Sequence, residues 1–107
     1  MTLRGSLDHV AGRPVLVLEG DADLATVATL RDLLLRAVAE HPGQPLVVDL
    51  DGVGALDDVG IGVLLGVAGR TRQAGGDLLL VCADAARRER FALTRLDRAV
   101  DVIAHLA

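Results

Sequence analysis

Lysine, tyrosine and tryptophan are missing from the 107 residues, Phe91 is the single phenylalanine and Cys82 the single cysteine. A core without aromatic bulk has to be built from leucine, valine and alanine, and a site that stacks bases or sugars has no rings to use. The formal net charge of -4 argues the same way, because phosphate binding needs a basic surface that releases counterions. Nucleic acid is therefore not an expected partner. All eleven basic residues are arginine, which removes the lysine that P-loop and receiver-type sites use to grip phosphate. One cysteine cannot form an internal disulfide, and Met1 to Gly5 lacks the apolar centre of a signal peptide, so the cytoplasm is the expected compartment. The longest apolar run, Ile61 to Ala68, is broken by glycine and far shorter than a bilayer span, so no membrane insertion is expected. His9, His41 and His105 lack the spacing of metal ligands, and neither a metal nor another cofactor is expected.

A hydrophobic fraction of 51% with a mean hydropathy of +0.44 marks a folded chain, and its length suits one domain over residues 1–107. Leu3 to Val10 alternates like a strand with one wet face, Ala11 to Pro14 has turn chemistry, and Val15 to Leu18 runs apolar like a strand covered on both faces. These segments predict an antiparallel hairpin. After a polar break at Glu19 to Asp23, Asp23 is placed to cap a helix from Leu24 to about Ala39. Leu24, Val27, Leu30, Leu34, Ala37 and Val38 give that helix its apolar stripe. Leu46 to Leu50 reads as the third strand, and Asp58 to Gln73 as a helix apolar around most of its surface, with Val63, Leu64 and Val67 expected in the core. Leu78 to Cys82 is the fourth strand, Ala85 to Thr94 a third helix, and Ala99 to Ile103 a short last strand. Cys82 lies in an apolar strand and is expected to pack rather than react. The order predicts an α/β fold with a mixed, mainly parallel sheet of four to five strands and helices packed against it.

The chain is organised around Leu46 to Ala68, where Asp57 and Asp58 fall where a helix begins and its backbone N–H groups converge. One enzymatic reading starts from Val47-Val48-Asp49-Leu50-Asp51-Gly52-Val53, which looks like the strand-end Asp-x-Asp-Gly motif of haloacid dehalogenase-like phosphatases. There Asp49 would attack the phosphoryl group and Asp51 would act as acid and base. Only 56 residues follow Asp51 and none is lysine, so the favoured reading is that the two aspartates close a strand and shape a turn. Gly60, Gly62, Gly66 and Gly69 lie inside the predicted helix rather than before it, and read as positions of close packing against the sheet or a partner.

Five segments in order resemble the STAS domain, the fold of bacterial anti-sigma factor antagonists. They are Glu19 to Thr26 with Leu30-Arg31, Val47 to Val53, Leu56 to Leu65, Gly75 to Val81 and Phe91 to Asp97. The resemblance implies a non-enzymatic, partner-switching protein that binds a kinase-type anti-sigma factor or related switch protein. It implies that Asp21, Asp23, Thr26, Asp57, Asp58, Val59, Gly60, Ile61 and Gly62 contact the partner. In that family the kinase phosphorylates the Ser or Thr after the signature aspartate. Asp57 matches the signature aspartate, but the hydroxyl position is Asp58 and the next is Val59. Three readings of Asp58 stay open: a helix N-cap, a permanent mimic of the phosphorylated state, or a feature that a different partner accepts. Arg87 and Arg90 stand where the family is usually apolar, and Arg95 where it has glycine. A shortened end after Ile103 leaves room for self-association as a homodimer. A STAS accessory subunit of a larger signalling or lipid-transport assembly fits the same residues.

Overall fold

The computed structural model describes residues 2–106. Strands β1 (Leu3–Val10) and β2 (Arg13–Ala22) pair antiparallel through the two-residue turn Ala11-Gly12. Both turn residues have positive φ, 52° and 80°, as a type I′ hairpin turn requires to match the twist of the strands it joins. Helix α1 (Val27–Glu40) leads to β3 (Pro45–Leu56), helix α2 (Asp58–Gln73) to β4 (Asp77–Val81), and helices α3 (Ala85–Leu93) and α4 (Leu96–Ala99) to β5 (Asp101–Ile103). The sheet order is β1-β2-β3-β4-β5, with β2 to β5 parallel. The α/β class and the mixed, mainly parallel sheet agree with the sequence reading.

Alternation along the strands divides the apolar residues between two faces. Leu16, Leu18, Val48, Leu50 and Leu80 join Leu30, Leu34, Leu64 and Phe91 in the main core beneath the helices. Val15, Val47 and Val81, with Val17, Leu79, Ile103 and Leu106, form a second cluster that contains no helix residue. Burying Leu64 or Phe91 completely contributes about 1.5–3 kcal/mol each. Val63, expected in the core, is only half-buried.

Four boundaries differ from the sequence reading. Glu19 to Ala22, read as a polar break, continues β2, because Glu19, Gly20 and Ala22 pair with Gly52, Val53 and Leu56. For the same reason β3 runs six residues beyond Leu50. The α-helix begins at Val27, not Leu24, and Leu24 is 74% exposed on the turn before it. The short helix α4 takes part of the expected last strand, which shrinks to Asp101–Ile103.

Candidate functional site

The C-terminal ends of β2 and β3 lie side by side and deliver two acidic turns to one end of the sheet. The Asp21 carboxylate is buried and accepts a hydrogen bond from Ala55 N–H at 2.8 Å, tying the two strands beyond their ladder. Ala22 C=O accepts from Asp57 N–H at 3.2 Å. The loop entering α1 and the start of α2 are therefore fixed to each other.

Asp23 and Thr26 satisfy one another in the turn. Thr26 N–H donates to Asp23 Oδ1 at 3.2 Å, and Asp23 N–H donates to Thr26 Oγ1 at 3.1 Å, a reciprocal capping pattern. The buried Thr26 hydroxyl also donates to Asp21 C=O at 2.6 Å. Asp23 thus caps the turn that precedes α1, whereas Thr26 occupies the N-cap position of the helix itself.

At α2 the cap is Asp57, whose Oδ1 accepts from Gly60 N–H at 3.3 Å. This corrects the reading of Asp58 as the N-cap. Asp58 is the first helical residue, its side chain 87% exposed and 2.7 Å from Arg90 Nη2. Gly60 is pressed against the strand ends: a Cβ there would lie 2.9 Å from Leu56 Cδ1 and 3.0 Å from Ala22 O. A Cβ at Gly62, Gly66 or Gly69 would meet nothing within 4 Å, so of the four only Gly60 is packed closely against the chain's own strands.

The residues expected to contact a partner fall into two groups. Asp21, Thr26, Gly60 and Ile61 are buried and hold the surface in shape; Asp58, Val59 and Gly62 are exposed, with Asp23 and Asp57 half-buried between them. Leu24 adds an exposed apolar side chain that the helical pattern had assigned to the core. Its position between Asp23 and Thr26, two residues that cap one turn, was the available signal.

Sequence reasoning also missed what the arginines of α3 do. Arg87 donates to Val53 C=O at 2.9 Å and Gly54 C=O at 2.6 Å, and Arg90 donates to Leu56 C=O as well as to Asp58. Arg88 donates to Cys82 C=O and Ala83 C=O, both at 2.8 Å. Three guanidinium groups thus hold the carbonyl oxygens at the ends of β3 and β4, an arrangement that suits five fixed donors per arginine.

Asp49 and Asp51 do not end a strand. Asp49 Oδ1 accepts from Asp51 N–H at 2.9 Å, Asp51 Oδ1 accepts from Ala83 N–H at 2.7 Å, and β3 continues past both. Both carboxylates fix backbone N–H groups. Cys82 is 1% exposed, and burial pushes its thiol above its ordinary value. Among the described residues no three His, Cys, Asp or Glu side chains gather as a metal site, and no helix is long and apolar enough to cross a membrane.

The family model of the STAS domain matches residues 6–107. The chain belongs to the STAS domain family. It is 32% identical over 85 residues to the anti-sigma-F factor antagonist RsfA of Mycobacterium tuberculosis, an alignment covering 78% of this chain and 66% of that protein. The chain thus matches just under two thirds of that relative's length. Its structure is similar to the crystal structure of an anti-sigma factor antagonist from Mycobacterium paratuberculosis, with a TM-score of 0.84 and 26% identity over 98% of this chain and 88% of that one. The phosphorylated form of the Bacillus cell fate determinant SpoIIAA shares the fold, with a TM-score of 0.64 and 17% identity over 95% of this chain and 93% of that one. Within this STAS domain the Asp57–Gly62 segment is the start of α2, and the Asp21–Thr26 segment is the strand end and turn beside it.

Proposed function

We propose that this protein is an anti-sigma factor antagonist that acts in the cytoplasm by protein binding alone, without catalysing a reaction. Its partner is a kinase-type anti-sigma factor or a related switch protein. The observation that carries this reading is the exposure of Asp58, Val59 and Gly62 on the first turns of α2, beside the turn that presents Leu24. This is a mixed apolar and acidic surface built on a rigid base. The relatives named as anti-sigma factor antagonists support the partner class.

Position 58 carries no hydroxyl, so the antagonist works without the phosphorylation implied for its family. Calorimetric titration tests this with a panel comprising the anti-sigma-F factor of Mycobacterium tuberculosis and the kinase-type anti-sigma factors of the source genome. The expected result is saturable binding to at least one, no ATP-dependent phosphorylation of the wild type, and weaker binding after Val59→Glu. Absence of binding across the panel, or magnesium-dependent turnover of a phosphate ester that Asp49→Asn abolishes, overturns the reading.

Self-association has a surface of its own in the apolar sheet face around Val17, Leu79, Ile103 and Leu106, which no helix residue joins. Sedimentation velocity distinguishes a homodimer through this face from a monomer.

A further inference from the structure

Arg90 stands 32 residues from Asp58 in the chain and 2.7 Å from it in space. We infer that Arg90 is the built-in counter-charge of Asp58, so that the docking surface presents a neutral ion pair and the protein is a constitutive antagonist rather than a permanent mimic of a phosphorylated one. This rests on the functional reading above and names the regulation of that surface.

The argument begins with charge. A phosphoserine would bring about -1.5 to -2 and three acceptor oxygens to this position, and a bare aspartate brings -1 and two. An arginine beside the aspartate removes what remains, because a guanidinium stays protonated throughout the accessible pH range. At 2.7 Å, well inside the roughly 8 Å over which physiological salt screens, the pair carries no net charge, and an approaching group meets a dipole whose field falls off faster than that of a bare carboxylate. The resulting surface is closer in net charge to an unmodified hydroxyl than to a phosphate.

An exposed ion pair alone would be a weak device, since two long side chains lose entropy by meeting. Arg90 is not free in that sense. Its side chain is only 38% exposed, and its other terminal nitrogen donates to Leu56 C=O, two residues before Asp58. One turn earlier, Arg87 fastens α3 to Val53 and Gly54 of the same strand. The guanidinium is therefore held at the start of α2 by a bond that does not involve Asp58 as well as by the ion pair. Asp57, the neighbouring acid in the chain, already uses one carboxylate oxygen to cap Gly60 N–H.

A double-mutant cycle tests the inference, with wild type, Arg90→Met, Asp58→Ser and the double variant titrated against the panel member that binds wild type most tightly. Arg90→Met keeps the alkyl packing and removes the charge. The expected result is a loss of about tenfold in affinity for Arg90→Met, because it leaves Asp58 unpaired, and a change of about twofold or less when the same substitution is made in the Asp58→Ser background. Arg90→Lys should retain wild-type affinity within about threefold. Thermal melting of all the variants establishes that each is folded. Equal losses in both backgrounds mark a structural role and overturn the inference, as does unchanged or tighter binding by Arg90→Met. Those results leave the functional reading standing, whereas absence of wild-type binding across the whole panel overturns both.

Discussion

Arg87 and Gly54 are joined by a hydrogen bond of 2.6 Å from a guanidinium nitrogen to a backbone carbonyl oxygen, linking α3 to the last residues of β3. With its second bond, to Val53, the arginine adds polar ties between helix and sheet to the apolar packing of the buried Phe91. Truncating it to methionine removes two charge-assisted bonds. The expected loss is about 2 kcal/mol, read as a lower urea midpoint at unchanged m-value. An unaltered midpoint would show that water serves the two carbonyls equally well.

Two glycines on α2 should respond oppositely to alanine. At Gly62 the added methyl meets open space, so the higher helix propensity of alanine should stabilise by about 0.5–1 kcal/mol. At Gly60 the same methyl collides with Leu56 and Ala22, and a cost of about 1–3 kcal/mol should outweigh the gain. Thermal melting decides between the two signs, a shift of roughly 4–8 °C per kcal/mol in a domain of this size.

Thr26→Val keeps the shape of a buried side chain and deletes the hydroxyl that serves both Asp21 C=O and Asp23 N–H. Destabilisation of about 1–3 kcal/mol is expected, with faster amide exchange at Asp23. Thr26→Ser, which keeps the hydroxyl, should recover most of it. Equal behaviour of the two variants would contradict the assigned bonds.

The Cys82 thiol gives a dependence on alkaline pH. Its proton is held more tightly in the folded chain because burial disfavours the thiolate. Above the unfolded value of about 8.5 the unfolded chain binds fewer protons than the folded one, so stability falls as pH rises. The contribution is complete below that value and is lost as pH climbs through the raised folded value. Cys82→Ala should show a shallower decline in melting temperature above about pH 8.5 than wild type. The wild-type thiol should also react with a disulfide reagent only at the rate of unfolding.

Arg95 occupies the left-handed region, with φ 63° and ψ 14°, where the family resemblance places a glycine. The chain accepts the strain of a side chain there. Arg95→Gly should therefore melt higher or unchanged, and Arg95→Val should melt lower, since a β-branched residue fits that region poorly.

The apolar strands were legible because burial writes itself into local patterns: Val15 to Leu18, Leu46 to Val48 and Leu78 to Val81 all read directly as strand. Their polar extensions were not. Glu19 to Ala22 and Asp51 to Leu56 are rich in glycine and acid, and each becomes strand only because the other lies alongside. The position of α2 was legible, but adjacent aspartates left the cap ambiguous until Asp57 Oδ1 was seen to accept from Gly60 N–H. Arg87 and Arg90 had only a negative signal, charge where apolar residues were expected. Their partners lie 32 to 34 residues away, beyond any local pattern.

The strand order β1-β2-β3-β4-β5 follows the chain without a single inversion. Each strand after the first joins an edge already laid down by its predecessor, and none has to be threaded between two neighbours. During synthesis, the hairpin can stand first and every later unit can dock as it emerges. The growing edge at each stage is the one the next segment covers, which shortens the interval in which it could pair with another chain, while the outer edge of β1 is covered by no later strand.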